Sequence, residues 1–217
     1  MNVAIFGASG ATGILLTERS LAAGHSVTAL VRTPEKFPLR DKVHLLRGNA
    51  FDPLAVRHTI EGADVVLSAL GARSLKKEDV LERAVPLITA AMQQTASQPK
   101  PVRRLIVLGS AGALPTSLDK QPVWRRWIVQ NIVYRTLLKW PIASQISQWN
   151  DLSHSGLDWT MVMPPMLTNA PAHGTYRIDA DALPRNGSRI SREDVANFMM
   201  QQIADPQWIR KGVYIAW

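Results

Sequence analysis

Cysteine is absent from the 217 residues, which excludes disulfides, thiolate metal ligation and a cysteine nucleophile. The five histidines stand in no spacing with carboxylates that suggests a metal site. No apolar run approaches the ~20 residues that cross a bilayer, and no basic leader with a cleavage site precedes the first strand-like run. Together with the reducing conditions that a cysteine-free chain fits, these absences make a cytoplasmic protein without a membrane span the expectation. Internal repeats, low-complexity tracts and an interdomain linker are also missing, so one domain over residues 1–217 is expected. Carboxylates are in short supply, with 17 Asp and Glu against 25 Lys and Arg and a net charge of +8. The excess is concentrated: Lys100, Arg103, Arg104, Lys120, Arg125, Arg126, Arg135 and Lys139 face Asp119 alone. Such a surface attracts phosphate-bearing cofactors, nucleic acid or anionic membranes without distinguishing them.

What the chain does have is the 46% hydrophobic content of a globular protein with a full core. Short apolar runs bounded by turn residues recur at Val3–Phe6, Ser26–Arg32, Val43–Gly48, Ala63–Leu70, Arg104–Ser110, Asp158–Met163 and Val213–Trp217. They are nearly continuous in hydrophobicity, as in strands covered on both faces of a parallel sheet. Helices are expected between them at Gly13–Gly24, Asp52–Gly62 and Glu78–Ser97. This alternation reads as an α/β, doubly wound parallel sheet. Gln121–His154 reads as a long helical region broken at Trp140-Pro141. Gly174–Ile190 reads as a hairpin around Pro184-Arg185-Asn186-Gly187, a small C-terminal elaboration suited to a substrate loop. Ser191-Arg192-Glu193-Asp194 has the spacing of a capping box opening a helix over Val195–Ile203.

Gly7-Ala8-Ser9-Gly10-Ala11-Thr12-Gly13 directly follows the first strand-like run and precedes the amphipathic Ile14, Leu15, Leu16, Leu21 pattern. A strand, a glycine turn and a helix start in that order present backbone N–H groups to a pyrophosphate, the Rossmann-type arrangement. Gly7 permits the tight turn, Gly10 the approach to phosphate and Gly13 the close helix–strand packing. The second strand ends Val31-Arg32-Thr33 with no carboxylate to hold a ribose 2′-OH. Arg32 and Thr33 instead suit a 2′-phosphate, so NADP(H) is expected over NAD(H). Asn49 after the third strand is placed to touch adenine, and Gly71-Ala72-Arg73 follows the fourth at the ligand-gathering edge.

Gly7–Gly13, Leu30-Val31-Arg32, Leu70-Gly71-Ala72-Arg73, the strand ending at Ser110 and Met163-Pro164-Pro165 occur in this order. With Tyr176, Ser188-Arg189-Ile190-Ser191 and the capped helix to Met199, the chain resembles the NADP-dependent flavin reductase/biliverdin-IXβ reductase group. These are atypical short-chain dehydrogenases/reductases with nitrogen-metabolite-repression (NmrA-like) relatives. The resemblance spans nearly the whole chain. It implies Gly7, Ser9, Gly10, Ala11, Thr12 and Gly13 around the pyrophosphate, and Arg32 and Thr33 at the 2′-phosphate. It further implies Leu70, Gly71 and Arg73 at the central part of the cofactor, Ser110 beside the nicotinamide, and Pro164, Pro165 and Met166 around its carboxamide. Met166 stands where the human-type reductases carry a histidine, a departure that bears on substrate. Asn49 stands where many relatives carry aspartate.

The Tyr–Lys pair with which ordinary short-chain dehydrogenases protonate an alkoxide is missing. Tyr134 has Leu138 four residues on, and Tyr176 has Ala180. Lys139, one residue further than Leu138, points about 140° away from Tyr134 on a helix. Acceptors that take hydride without a strong protein acid are therefore favoured: oxidised flavin first, then tetrapyrroles and quinones. Ser110 is the candidate polar group beside the acceptor; with no paired base it is no nucleophile. His154 reads as a solvated helix end, His173 as a residue of the substrate loop, and His25, His44 and His58 as structural or exposed. Trp124, Trp127, Trp140 and Trp149 bracket Arg125, Arg126, Arg135 and Lys139. That interleaving fits tryptophans packed on the sheet, a membrane interface, or a wall of the acceptor site. Nucleic acid is disfavoured because no binding motif accompanies the charge. The sequence thus supports an NADPH-dependent reductase, with a non-catalytic NADP(H) sensor that reports to a protein partner as the alternative.

Overall fold

The computed structural model describes residues 1–72 and 74–217. Strand β1 (Asn2–Phe6) is buried from Val3 onward and runs into the glycine turn. Helix α1 (Ala11–Ala22) returns the chain to β2 (Ser26–Val31). Next come β3 (His44–Arg47), α2 (Pro53–Ile60, capped by Asp52), β4 (Val65–Ser68) and α3 (Val80–Gln94). The chain continues through β5 (Arg104–Leu108), α4 (Val123–Ile128), α5 (Lys139–His154) and β6 (Asp158–Met163). It closes with β7 (Met166–Thr168), β8 (Arg177–Asp179), β9 (Arg189–Ser191), α6 (Arg192–Gln201) and β10 (Lys211–Ala216).

Eight strands form one sheet in the order β3-β2-β1-β4-β5-β6-β10-β8. Every pairing in it is parallel except β10 with β8. The apolar strands are covered on both sides. Leu16 of α1 and Val195, Phe198 and Met199 of α6 bury one face; Val56, Ile60, Val85, Ile88 and Leu152 from α2, α3 and α5 bury the other. The order runs outward from β1 in one direction and from β4 in the other. Their junction is a topological switch point, where a crevice opens at the carboxyl ends of the strands.

Three expectations need correction. Trp140-Pro141 does not break a helix: α5 begins at Lys139, so Pro141 lies in its first turn, where a missing N–H costs no intrahelical bond. The interruption falls earlier, at Tyr134–Leu138, after α4 passes into a π-helical turn over Val129–Val133. Gly174–Ile190 is not a hairpin. Its turn forms, with Asn186 at φ 60° and Gly187 N–H donating to Pro184 at 2.8 Å. However, β8 joins β10 antiparallel while β9 pairs in parallel with β7. The Gln121 amide holds the carbonyls of Leu183 and Pro184 at 2.9 and 3.0 Å, which anchors the turn to the body of the protein. Finally, β5 ends at Leu108, so Ser110 stands two residues beyond the strand. Ser191 caps α6, its Oγ accepting from Asp194 N–H at 3.0 Å, while the Asp194 carboxylate accepts from the Ser191 hydroxyl at 2.9 Å.

Candidate functional site

A cleft of about 580 Å³ lies along the carboxyl ends of β1, β2, β4 and β5. Gly7, Ser9, Gly10, Ala11 and Thr12 form its floor, with Leu30, Val31 and Arg32 at one end. Asn49, Ala50 and Phe51 follow β3; Leu70, Gly71 and Ala72 follow β4; Ser110 follows β5. Pro141, Ser144 and Gln145 of α5, with Leu167 and Arg192, close the other side.

No side chain caps α1 at Gly10, and its first turn carries no acidic residue. The open N–H groups and the positive end of the helix dipole there suit a phosphate diester. Among the described lining residues the only charged side chains are Arg32 and Arg192, and no carboxylate faces the space. Arg32 is exposed and has no carboxylate partner among the described residues. Arg192 is oriented by Asn169, whose side-chain oxygen accepts from Nη1 at 2.6 Å. Acids sit behind the wall instead. The buried Ser144 hydroxyl donates to the Glu82 carboxylate at 2.6 Å. Burial, and then the like charge of Glu82, push the Asp151 carboxyl above its ordinary value. The donor set therefore fits a nucleotide carrying several phosphate charges.

At the other polar positions the geometry is local. Ser110 opens a 3-10 turn over Ala111–Ala113, and its Oγ accepts from Gly112 N–H at a long 3.5 Å. That weak contact leaves the hydroxyl free to reorient toward a bound molecule. Asn49 Oδ1 accepts from Phe51 N–H at 3.2 Å, and the Arg83 guanidinium lies 4.1 Å from the Phe51 ring centre. No Tyr, Lys or His lines the cleft among the described residues. Tyr134 is half-buried beside Gly112, and burial raises its phenol further from titration.

Gly13 lies beneath the lining and serves the packing of α1 on the glycine turn. Thr33, Pro164, Pro165 and Met166 stand outside the lining; Pro164 accepts from Ala111 N–H at 2.9 Å, and Met166 opens β7 with its side chain exposed. Arg73 lies outside the described residues. Phe51, Ser144, Gln145 and Arg192 reach the cleft without any signal in their local sequence. His154 Nδ1 stays 2.8 Å from the Asn150 carbonyl at the end of α5, and the His173 ring stacks on Trp217 at 3.7 Å. Trp124, Trp127, Trp140 and Trp149 do not line the cleft. Trp149 packs edge-on against Trp159, so of the three readings of this segment the packed one holds for that residue.

A crevice at the switch point, floored by a glycine turn and an uncapped helix start, defines an α/β dinucleotide-binding protein. A family model described as NAD(P)H-binding matches residues 7–206, and the chain belongs to that family. The protein accordingly binds NAD(P)H. It is similar to YwnB of Bacillus subtilis, 27% identical over 214 residues, covering 95% of this chain and 94% of the relative. Among solved structures it shares the fold of a Veillonella parvula short-chain dehydrogenase/reductase in complex with NADP. There the TM-score is 0.79, identity 20%, and coverage 100% of this chain and 94% of the other. ChuY, an anaerobilin reductase from Escherichia coli O157:H7, gives a TM-score of 0.81 at 18% identity, covering 100% and 97%. No helix among the described residues is long and apolar enough to cross a membrane.

Proposed function

We propose that the protein is an NADPH-dependent reductase that passes a hydride to a planar conjugated acceptor: a flavin, with biliverdin-type tetrapyrroles and quinones as further candidates. The observation that carries this reading is the inventory of the cleft. Among the described lining residues its charged side chains are Arg32 and Arg192, and these residues offer hydroxyls and amides but no Tyr–Lys pair. The likeness to a protein named as a reductase is consistent with it.

A bound nicotinamide supplies the hydride. The N–H groups at the start of α1, with Ser9 and Thr12 beside them, hold the pyrophosphate. Arg32, with Thr33 next to it, holds the 2′-phosphate, while Asn49 and Phe51 border the adenine. Leu70, Gly71 and Arg73 follow the cofactor's middle. Ser110 orients the nicotinamide or the acceptor, and Pro164, Pro165 and Met166 act from outside the lining, Pro164 by holding Ala111 beside Ser110. Pro141 and Leu167 exclude water from one side. With no acidic side chain among the described lining residues, water would supply the proton to an acceptor whose negative charge is delocalised. The protein's contribution is proximity and orientation.

Following NADPH oxidation with FMN, riboflavin, biliverdin and a simple quinone, each against NADH, tests the reading. Turnover that prefers NADPH supports it; tight NADPH binding with no turnover on any acceptor transfers the assignment to an NADP(H) sensor. Two variants refine the test. Arg32→Ala removes a charge-assisted contact of about 1.5–3 kcal/mol, so NADPH affinity should fall roughly 10- to 150-fold. NADH affinity should stay nearly unchanged, and equal losses for both would remove the 2′-phosphate assignment. Ser110→Ala should lower turnover about tenfold with little change in NADPH affinity, the signature of a group used in orientation. Unaltered flavin reduction would leave Ser110 as a turn residue only.

A further inference from the structure

The segment between the Gln121 anchor and α5 presents apolar side chains to solvent instead of the core. Val123 is 84% exposed, Trp124 68% and Trp127 59%, on one side of α4. Ile132, Leu137 and Trp140 extend the patch toward α5. Exposed large apolar groups in one contiguous stretch mark an interaction surface. The segment's own charges have one sign, because no Asp or Glu occurs from Lys120 through Asn150. Arg126 reaches Asp119 at 3.1 Å, but Arg135 has no carboxylate partner among the described residues. The Lys139 and Lys77 ammonium groups lie 5.0 and 5.3 Å from the Trp140 ring centre, and neither is in an ion pair among the described residues.

We infer that this face docks on an anionic phospholipid surface. A second copy of the chain is a poor occupant. A two-fold interface sets the same patch against itself, here an excess of cations against cations, with Asp119 already taken up by Arg126, and like charges facing each other oppose the contact. A lipid headgroup layer takes both components at once. Tryptophan rings and aliphatic side chains enter the boundary of the acyl region while Arg and Lys meet the phosphates. Val123, Ile132 and Leu137 have no comparable use against nucleic acid. Pro141, the neighbour of Trp140, lines the cleft, so docking sets the cleft's rim at the membrane boundary. The inference stands apart from the reductase reading, since it concerns binding alone.

Co-sedimentation of the full chain with phosphatidylcholine vesicles, with and without phosphatidylglycerol, tests it. The protein should pellet with the anionic vesicles and be released by high salt. Each cation removed should weaken binding about fivefold, so Arg135→Glu with Lys139→Glu should show a large loss. Trp124→Ala with Trp127→Ala should weaken binding at least about tenfold, while thermal stability and NADPH affinity stay unchanged. Failure to pellet at low salt, or equal pelleting with neutral vesicles, overturns the inference. Unaltered binding of the double tryptophan variant does the same, since it reduces the effect to adsorption of a basic protein. A dimer that this variant dissociates, without vesicle binding, would assign the face to a second copy.

Discussion

Gly13→Ala should abolish NADPH binding and lower stability by about 2–3 kcal/mol. A Cβ at this position would lie 2.1 Å from the Gly7 carbonyl oxygen and 2.8 Å from the Ala8 Cα. Both are backbone atoms, so no rotamer change relieves the overlap. Nor can the turn retreat. Gly7 sits at φ +75°, and a Cβ on it would already meet the Ala69 carbonyl at 2.7 Å, so the turn is pressed against the chain leaving β4. The relief left is for α1 to lift away from the sheet, which carries the N–H groups of its first turn out of the cleft. Gly71→Ala is the matched control for the fold, since its Cβ would meet no atom within 4 Å. Fluorescence titration with NADPH and a thermal melt read both effects. Retention of affinity within about threefold would mean that the helix start is not the phosphate site.

The doubly wound sheet was legible because its evidence is local. The strands from β1 to β6, and β10, fall on short apolar runs, and two helix starts have their own mark: glycines before α1 and Ser191 before α6. The glycine turn announced where the cleft would open, since a parallel sheet binds at its switch point. The rest depended on contacts between distant parts of the chain. Ser144, Gln145 and Arg192 enter the cleft through the packing of α5 and α6, which no spacing in the sequence encodes. The strand choice of Gly174–Ile190 was hidden for the same reason, because two open edges competed for segments of three residues each. Pro141 misled because a proline inside an apolar helical pattern marks a helix start as well as a break. The tryptophans of α4 defeated the pattern entirely. Aromatic residues at helical spacing normally pack inward, and Trp124 and Trp127 do not.

Asp194→Asn should lower the thermal midpoint by roughly 5–10 °C, a loss of about 2–3 kcal/mol. Asp194 is fully buried and accepts from His173 N–H and Gly174 N–H at 3.0 Å each, from Trp217 Nε1–H at 2.9 Å and from the Ser191 hydroxyl at 2.9 Å. One carboxylate thus ties the loop before β8, the residue following β10 and the start of α6 together. An asparagine keeps the shape but turns an NH₂ group toward buried donors, which leaves some of them unpaired. Burial alone would raise the Asp194 carboxyl, but the four hydrogen bonds outweigh it and hold it below the ordinary carboxylate value. A carboxyl depressed by folding contributes its stability in full above the unfolded value of about 3.9 and loses it as pH falls through the lower folded value. The gap between wild type and Asp194→Asn should therefore be constant near neutrality and narrow below about pH 4. A gap that stays the same into acid would show that the variant suffers from altered packing and not from the lost charge. Because Arg192 belongs to the same helix start, NADPH affinity should weaken in step with the midpoint if this clasp also holds the wall of the cleft.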